Sequence, residues 1–304
     1  MPTDSPLRRL SLGTAQLALP YGIANRAGAP TLARAERLLT AAFELGVTAL
    51  DTAPCYGPAE EWIGTILRER RMAGRWRVTT KLESLGEGLA AGDVGERVRR
   101  AVDASRRRLG LDLLDELLVH DAADWRRYGA ALGDALAGEL QRGAVARAGT
   151  SVYTPEEAES TSRDARAALV QHPANLLDHR LAASGALARL GERGVGLQAR
   201  SVFLQGLFVL DVEHLPPSVR HCRDTLMRLR TLLARHELAP ADVALAAVLA
   251  QPFERVIVGA DDEQQLSTAV RRATRELPDG LLGELRNAFL EPDLEVIDPR
   301  RWRA

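Results

Sequence analysis

The stretch VTALDTAPCYGPAEEWIG, residues 47–64, decides how the chain is interpreted. Its first four residues are apolar or β-branched, and a loop rich in Pro and Gly follows, which is typical of a buried strand. Asp51 therefore stands at the C-terminal end of a strand, and Tyr56 lies in the loop that follows. Pro58 and the acidic residues after it then begin a helix. A carboxylate and a phenol thus share one strand-to-helix connection.

Lysine occurs only once in the chain, at position 81, and all other basic residues among the 40 counted are arginines. Lysine, unlike arginine, can lose its proton, so a single lysine in an arginine-rich chain indicates a site that needs this chemistry. A residue left by chance is the other interpretation. Lys81 lies at the C-terminal end of the strand-like run WRVTTKL, and His120 ends the next such run, LDELLVH.

Apolar runs and amphipathic helical patterns alternate along the whole chain. Strands are predicted at residues 10–14, 47–50, 76–82, 114–120, 146–152, 168–171, 196–203 and 255–260. Helices are predicted at residues 32–45, from 58 onward, and at 94–109, 125–142, 155–165, 179–193, 218–250 (a pair), 262–275 and 278–290. Because no linker, repeat or low-complexity tract divides this alternation, the sequence predicts one (β/α)8 TIM barrel domain over residues 1–304, with extra C-terminal helices.

The charge balance and the residue composition indicate which kind of molecule the protein binds. The 40 basic and 41 acidic residues nearly cancel, which gives no general attraction to nucleic acid or to a membrane surface. The two Cys and six His form no metal-ligand pattern, and no apolar stretch approaches the length of a membrane span. We therefore expect a cytoplasmic, metal-free protein with a small-molecule partner. The sequence gives no signal for an oligomeric state.

In a barrel of this kind, functional side chains lie at the C-terminal ends of the strands. Asp51, Lys81 and His120 are predicted at three consecutive strand ends, with Tyr56 beside the first. A nearby ammonium lowers the pKa of a phenol, which we expect to make Tyr56 a usable proton donor. Asp51 would keep Lys81 charged, and a neutral His120 imidazole would donate a hydrogen bond to a substrate oxygen. This set fits carbonyl reduction, for which a nicotinamide must supply the hydride.

These segments resemble the catalytic segments of the aldo-keto reductases. The resemblance rests on DTAPCYGPAE, the Lys81 strand and LLVH, and it extends over nearly the whole chain through Gly13-Thr14, GTSVY, VQHPANLLD, ARSVFLQGL and VIVGADDEQQL. It implies that Asp51, Tyr56, Lys81 and His120 form a catalytic tetrad.

The resemblance also implies NADP(H) as cofactor, bound at the barrel mouth without a Rossmann motif. The residues that it implies for cofactor binding are Gly13, Thr14, Ser151, Gln171, Arg200, Ser201, Leu204, Gln205, Gly206, Gly259, Asp261 and Gln265. Ser151 and Gln171 would hold the carboxamide, and Ser201 with residues 204–206 would line the pyrophosphate.

Three positions depart from the family pattern. Val152 stands where the family commonly has Asn, and Arg200 stands where it often has an aromatic residue that stacks on the nicotinamide. Asp261 replaces the Lys or Arg that usually grips the 2′-phosphate, so NAD(H) is possible as cofactor. Asp261 or Asp262 could alternatively be a helix N-cap, with Gln264 or Gln265 completing a capping box.

The sequence therefore predicts an NAD(P)(H)-dependent oxidoreductase that reduces an aldehyde or ketone, or oxidises the corresponding alcohol. Two alternatives use the same barrel. One is a Schiff-base lyase with Lys81 as the nucleophile. The other is a subunit that binds the cofactor without catalysing a reaction.

Overall fold

The structure is a computed structural model that describes residues 6–25, 28 and 30–302. Eight parallel strands form a closed barrel in which each strand pairs with the next and the last pairs with the first. They are β1 (Leu10–Gly13), β2 (Ala49–Asp51), β3 (Arg77–Leu82), β4 (Leu114–Val119), β5 (Val145–Ser151), β6 (Leu169–Pro173), β7 (Gly196–Arg200) and β8 (Arg255–Gly259). The predicted TIM barrel is confirmed. The predicted domain range of 1–304 includes residues outside this description and stays a prediction.

Helices connect the strands and follow the last one. They are α1 (Ala15–Ala18), α2 (Leu32–Glu44), α3 (Ala59–Glu69), α4 (Val94–Leu109), α5 (Ala123–Gln141), α6 (Pro155–Thr161), α7 (Arg180–Ala183), α8 (Ala186–Glu192), α9 (Arg223–Ala234), α10 (Pro240–Leu249), α11 (Glu263–Ala273), α12 (Leu281–Ala288) and α13 (Leu294–Ile297). No helix in the described ranges is both long and apolar enough to span a bilayer.

The helix boundaries follow from local chemistry. The side chain of Thr31 accepts a hydrogen bond from the Arg34 amide and caps α2 at its N-terminus. Gly110, at the end of α4, has a φ of 66°, a backbone conformation that costs glycine little. Gly64 on α3 packs against the end of α4, where an added Cβ would lie 2.2 Å from the carbonyl oxygen of Arg108. A side chain at position 64 would therefore push the two helices apart.

Several predicted elements differ from the structure. The strand expected over residues 196–203 ends at Arg200, where Ser201 follows with a positive φ of 61°, and the helix expected over residues 155–165 ends at Thr161. The helix expected over residues 179–193 is two short helices, α7 and α8, separated by Gly185. Gly185 has a φ of 75°, which lies outside the range of an α-helix and interrupts the hydrogen-bond ladder. The apolar spacing continues across the break, so the pattern alone suggests a single helix.

The pairing register places the strand ends at one rim of the barrel. Gly13 pairs with Asp51 across β1 and β2, and Ser151 pairs with Gln171 across β5 and β6. Lys81 on β3 pairs with Leu118 on β4, two residues before His120. The side chains singled out by the sequence therefore meet at the mouth of the barrel, as the fold requires.

Candidate active site

A cavity of about 750 Å³ opens at the C-terminal ends of the strands. Asp51, Tyr56, Lys81 and His120 all line it, so the structure brings the four predicted catalytic residues to one site. Among the described residues, no three His, Cys, Asp or Glu side chains are grouped as metal ligands would be.

Lys81 and Asp51 form an ion pair at the floor of the cavity. The Nζ of Lys81 donates to Oδ1 of Asp51 at 2.6 Å and to the carbonyl oxygen of Thr52 at 3.0 Å. Lys81 is 2% exposed and Asp51 is 5% exposed. Burial lowers the pKa of the Lys81 ammonium, but Asp51 and Tyr56 raise it more, and the pKa lies above its usual value. Lys81 is therefore charged at neutral pH.

Tyr56 lies above this pair in the loop between β2 and α3. Its hydroxyl is 3.5 Å from the Nζ of Lys81, and its amide is held by the carbonyl oxygen of Ala53 at 3.0 Å. Burial raises the pKa of the Tyr56 phenol, while the Lys81 ammonium opposes that shift. The expectation of a pKa below the usual value is therefore wrong for this structure, because desolvation outweighs the charge of Lys81.

His120 completes the group from the end of β4. Its amide donates to the carbonyl oxygen of Leu82 at 3.0 Å, which fixes the backbone beside Lys81. Burial, together with the positive charges of Lys81 and Arg200, lowers the pKa of His120 to about 4. The imidazole is therefore neutral at pH 7, as the sequence predicted. The Sγ of Cys55 lies 3.8 Å from its Nδ1.

A chain of buried amides runs from Asp51 into the barrel. The Nε2 of Gln171 donates to Oδ2 of Asp51 at 2.7 Å and to Oε1 of Gln198 at 3.1 Å. The Nε2 of Gln198 in turn donates to Oε2 of Glu116 at 2.7 Å. A carboxylate oxygen accepts hydrogen bonds, so Glu116 orients the side chain of Gln198, and Asp51 and Gln198 together orient that of Gln171. We call Gln171, Gln198 and Glu116 the amide chain.

The amide chain leaves one acceptor without a partner. The Oε1 of Gln171 is buried and has no hydrogen-bond partner among the described residues. Gln171 lines the cavity together with Ser151, which is 2% exposed. A carboxamide both donates and accepts hydrogen bonds, so these two residues fit the nicotinamide carboxamide. Val152, where the family commonly has Asn, is fully buried in the core.

The loop after β7 has an unusual backbone. Ser201, Leu204 and Gln205 have positive φ angles of 61°, 47° and 54°, and such strain often occurs at functional sites. Ser201, Gln205 and Gly206 line the cavity. The carbonyl oxygen of Gln205 accepts from the amide of Ile23 in the first loop at 3.0 Å. The side chain of Leu204 is instead buried in the core, so the structure does not bring it to the cavity.

Arg200 lines the cavity from the end of β7. Its guanidinium carbon lies 4.3 Å from the ring centroid of Tyr153, a residue that the sequence analysis did not select. The guanidinium of Arg300 lies 3.3 Å from the centroid of the same ring. The ring of Tyr153 thus connects the cavity to the C-terminal segment. Only its position two residues after Ser151 could have indicated this role.

The far end of the cavity is acidic. Asp262 caps α11 by accepting from the amide of Gln265 at 2.7 Å. Asp261 is not the cap, and its carboxylate accepts from the side-chain amides of Gln16 at 3.0 Å and Gln265 at 3.3 Å. Both aspartates line the cavity, together with Gly13, Thr14 and Gly259. Arg272 also lines this end, but it is paired with Asp242 at 2.7 Å.

Comparison with known proteins adds to this geometry. A family model described as the Aldo/keto reductase family matches residues 9–288. The chain is 28% identical over 324 aligned residues to a D-threo-aldose 1-dehydrogenase from a Pseudomonas species, covering 92% of this chain and 96% of the relative. It is 31% identical over 205 residues to the L-glyceraldehyde 3-phosphate reductase of Escherichia coli K12, covering 62% of this chain and 59% of the relative.

The fold also matches solved structures. The glycerol dehydrogenase of Gluconobacter oxydans superposes with a TM-score of 0.72 at 22% sequence identity, over 97% of this chain and 94% of the other. At this identity the likeness is one of fold.

Proposed function

Because the chain belongs to the aldo/keto reductase family, we propose that it is an NAD(P)(H)-dependent oxidoreductase that reduces an aldehyde or ketone, or oxidises the corresponding alcohol. One observation carries the proposal. The Tyr56 hydroxyl lies 3.5 Å from a buried ammonium, Lys81, which is itself 2.6 Å from Asp51. This is a phenol placed next to a fixed positive charge at the floor of a cavity large enough for a cofactor.

The residues act on the substrate oxygen. When bound, a nicotinamide would supply the hydride that the carbonyl carbon receives. Tyr56 is protonated at neutral pH and gives its proton to the carbonyl oxygen as negative charge develops there. The Lys81 ammonium stabilises the phenolate that remains, and Asp51 keeps Lys81 in place. The neutral His120 donates a hydrogen bond that orients the carbonyl. In the oxidative direction the same proton returns to Tyr56.

The cofactor would be held by the residues that surround the floor of the cavity. We propose that Ser151 and the free oxygen of Gln171 bind the carboxamide, and that Ser201, Gln205 and Gly206 bind the pyrophosphate. The acidic end of the cavity is a poor partner for a 2′-phosphate, which carries close to two negative charges. Asp261 would instead accept a hydrogen bond from the ribose hydroxyl of NAD(H).

The substrate class is supported by the names of the relatives. One is a reductase of a glyceraldehyde phosphate and the other a dehydrogenase of aldoses. We propose a small aldehyde, ketone or sugar as substrate.

The Schiff-base alternative is less well supported. A lysine nucleophile must lose its proton, whereas Lys81 is buried beside a carboxylate that raises its pKa. Borohydride treatment in the presence of a carbonyl substrate should therefore leave no adduct on Lys81.

The proposal is tested with a panel of aldehydes, ketones and sugars, each with NADH and NADPH, read by nicotinamide absorbance. Turnover should appear with at least one carbonyl and be lost in Tyr56→Phe. Tight cofactor binding with no turnover across the panel would favour the non-catalytic alternative.

A further inference from the structure

The charges that line the cavity are separated between its two ends. We propose that the catalytic end binds a carbonyl substrate that carries a carboxylate or phosphate group, and that Arg200 receives this group. This inference rests on the proposed function and names the substrate class for the same site.

Arg200 is a cation without an anion. Its Nη2 donates to the carbonyl oxygen of Val152 at 3.1 Å, and its Nη1 lies 3.3 Å from the hydroxyl oxygen of Ser201. Among the described residues, no carboxylate oxygen lies within 4.0 Å of its guanidinium nitrogens, since no ion pair involves it. Neutral groups therefore hold a half-buried positive charge at the cavity wall, and an anion bound there would be stabilised.

The other charged groups at the catalytic end do not compensate this charge. The Lys81 ammonium and the Asp51 carboxylate neutralise each other at 2.6 Å. The remaining cavity carboxylates, Asp261 and Asp262, belong to the loop between β8 and α11. Among the residues that line the cavity, those at the end that holds Tyr56 and His120 therefore carry one net positive charge, contributed by Arg200.

The position of Arg200 is suited to a substrate group. After burial and Lys81, its charge contributes to the lowered pKa of His120, and it opposes the burial that raises the pKa of Tyr21, so it acts on two residues that line the cavity. The contact with the Tyr153 ring holds the guanidinium plane, and Arg300, which contacts the same ring, is fixed by Asp298 at 2.6 Å. A planar guanidinium held in advance matches two oxygens of a carboxylate or phosphate.

The cofactor is a second partner for Arg200, because its pyrophosphate is a source of the same anionic chemistry beside the adjacent Ser201, and because the resemblance implies that the residue at position 200 stacks on the nicotinamide. The two sources make different demands on binding. If Arg200 served the pyrophosphate, its removal would weaken the dinucleotide and leave the choice between charged and neutral carbonyls unchanged.

The test compares matched carbonyl pairs that differ in one anionic group. Succinic semialdehyde is compared with butyraldehyde, and glycolaldehyde phosphate with glycolaldehyde, for the wild type and Arg200→Met. We expect the wild type to prefer the charged member of at least one pair in kcat/KM. Arg200→Met should reduce that preference by about ten- to a hundredfold, the effect of losing a charged hydrogen bond. Arg228→Met is the matched control, since Arg228 also lies over an aromatic ring, that of Phe289, but does not line the cavity, and it should change the preference less than about threefold.

Two binding measurements separate the possible failures. Calorimetry with malonate should show binding to the wild type that is at least about tenfold weaker in Arg200→Met. If malonate binds in this way but no carbonyl is turned over, the anion site stands and the proposed function fails. If Arg200→Met weakens NADH binding more than about tenfold while the carbonyl preference is unchanged, the group belongs to the cofactor and the inference is overturned. Absence of both a charged-substrate preference and Arg200-dependent malonate binding would also overturn it.

Discussion

The ammonium of Lys81 bonds Asp51 at 2.6 Å, and both side chains are almost completely removed from solvent. Such a pair gains little over apolar residues of the same shape, but removing one partner leaves an uncompensated buried charge. The pair is therefore better explained by the chemistry of the cavity than by the stability of the barrel.

Tyr56→Phe should retain the fold and lose most of its turnover. The ring is kept, but the proton donor is removed, and general acid catalysis contributes roughly 10²- to 10⁴-fold. Steady-state rates with the best carbonyl of the panel would measure the loss. Tyr128→Phe is a matched control, because Tyr128 bonds the carbonyl oxygen of Gly86 and does not line the cavity. A loss below about tenfold in Tyr56→Phe would remove Tyr56 from the mechanism.

Lys81→Met should destabilise the protein by about 3–5 kcal/mol, because Asp51 would be buried without its partner. Urea unfolding would measure the free energy of unfolding, and adding Asp51→Asn to the variant should restore part of it. The exposed pair of Arg37 and Glu263 is the control, and Arg37→Met should cost less than about 1 kcal/mol. If Lys81→Met is as stable as the double variant Lys81→Met/Asp51→Asn, burial of the Asp51 carboxylate does not depend on the Lys81 ammonium.

His120 should make the protein less stable in mild acid. Its pKa is about 4 in the folded protein, against about 6.5 in an unfolded chain. Between these values the unfolded state binds more protons, so stability falls as the pH falls from 6.5 towards 4, by about 3 kcal/mol at most for this residue. His172, also with a pKa of about 4, adds to the effect.

Urea unfolding at several pH values would test this dependence. His120→Asn should flatten the slope between pH 6.5 and 4, whereas His214→Asn, an exposed histidine outside the site, should not flatten it. An unchanged slope in His120→Asn would mean that the imidazole titrates normally in the folded protein.

Glu116→Gln should weaken dinucleotide binding although Glu116 does not line the cavity. A glutamine at this position can donate as well as accept, so Gln198 can turn and lose its bond to Gln171, and Asp51 alone then holds the free oxygen of Gln171 towards the cofactor. One lost hydrogen bond corresponds to a rise of about two- to tenfold in Kd, measured by quenching of tryptophan fluorescence. The matched control is Glu60→Gln, since Glu60 is also 1% exposed but bonds Thr80 and Arg108 instead. Equal affinities in Glu116→Gln and the wild type would contradict the positioning role.

Asp261 should weaken the preference for NADP(H). At a few ångströms, repulsion between its carboxylate and a 2′-phosphate is on the order of 1 kcal/mol or more. We expect the wild type to bind NADP(H) at most modestly better than NAD(H), and Asp261→Arg to shift the preference towards the phosphorylated form. Asp261→Asn removes the charge but keeps the shape, and it should shift the preference in the same direction by less.

Titration of both cofactors would decide this point. A wild-type preference for NADP(H) above about a hundredfold, or about 2.7 kcal/mol, would mean that another cation grips the phosphate. Arg272 would be the first to examine, because it lines the same end of the cavity.

The barrel and the four reactive groups could be predicted because their signals are local. Asp51, Lys81 and His120 stand at or next to the ends of strand-like runs, and the topology then brings strand ends together. The break at Gly185 was missed because apolar residues keep helical spacing on both sides of it. A glycine inside such a pattern can continue the helix or end it, and the tertiary packing decides.

The amide chain could not be predicted because its members are distant in sequence. Gln198 and Glu116 are 82 positions apart, and only the closed barrel places them in contact. Glu116, Gln171 and Gln198 each stand out as a polar residue within an apolar strand, but the sequence does not indicate which residue each one contacts. The pKa of Tyr56 was also beyond the sequence, because it depends on how burial and the charge of Lys81 balance.

Because Lys81 is the single lysine, its chemical labelling can be used to follow conformational change in the protein. Amine-directed reagents find only one side-chain amine in this chain, and it is 2% exposed beneath the cavity. In the folded protein they can modify that amine only when Lys81 leaves its ion pair with Asp51 and becomes accessible from the cavity, so the rate of labelling measures this exposure. Every side-chain modification falls on one peptide, where mass spectrometry can count it without competing signals from other lysines.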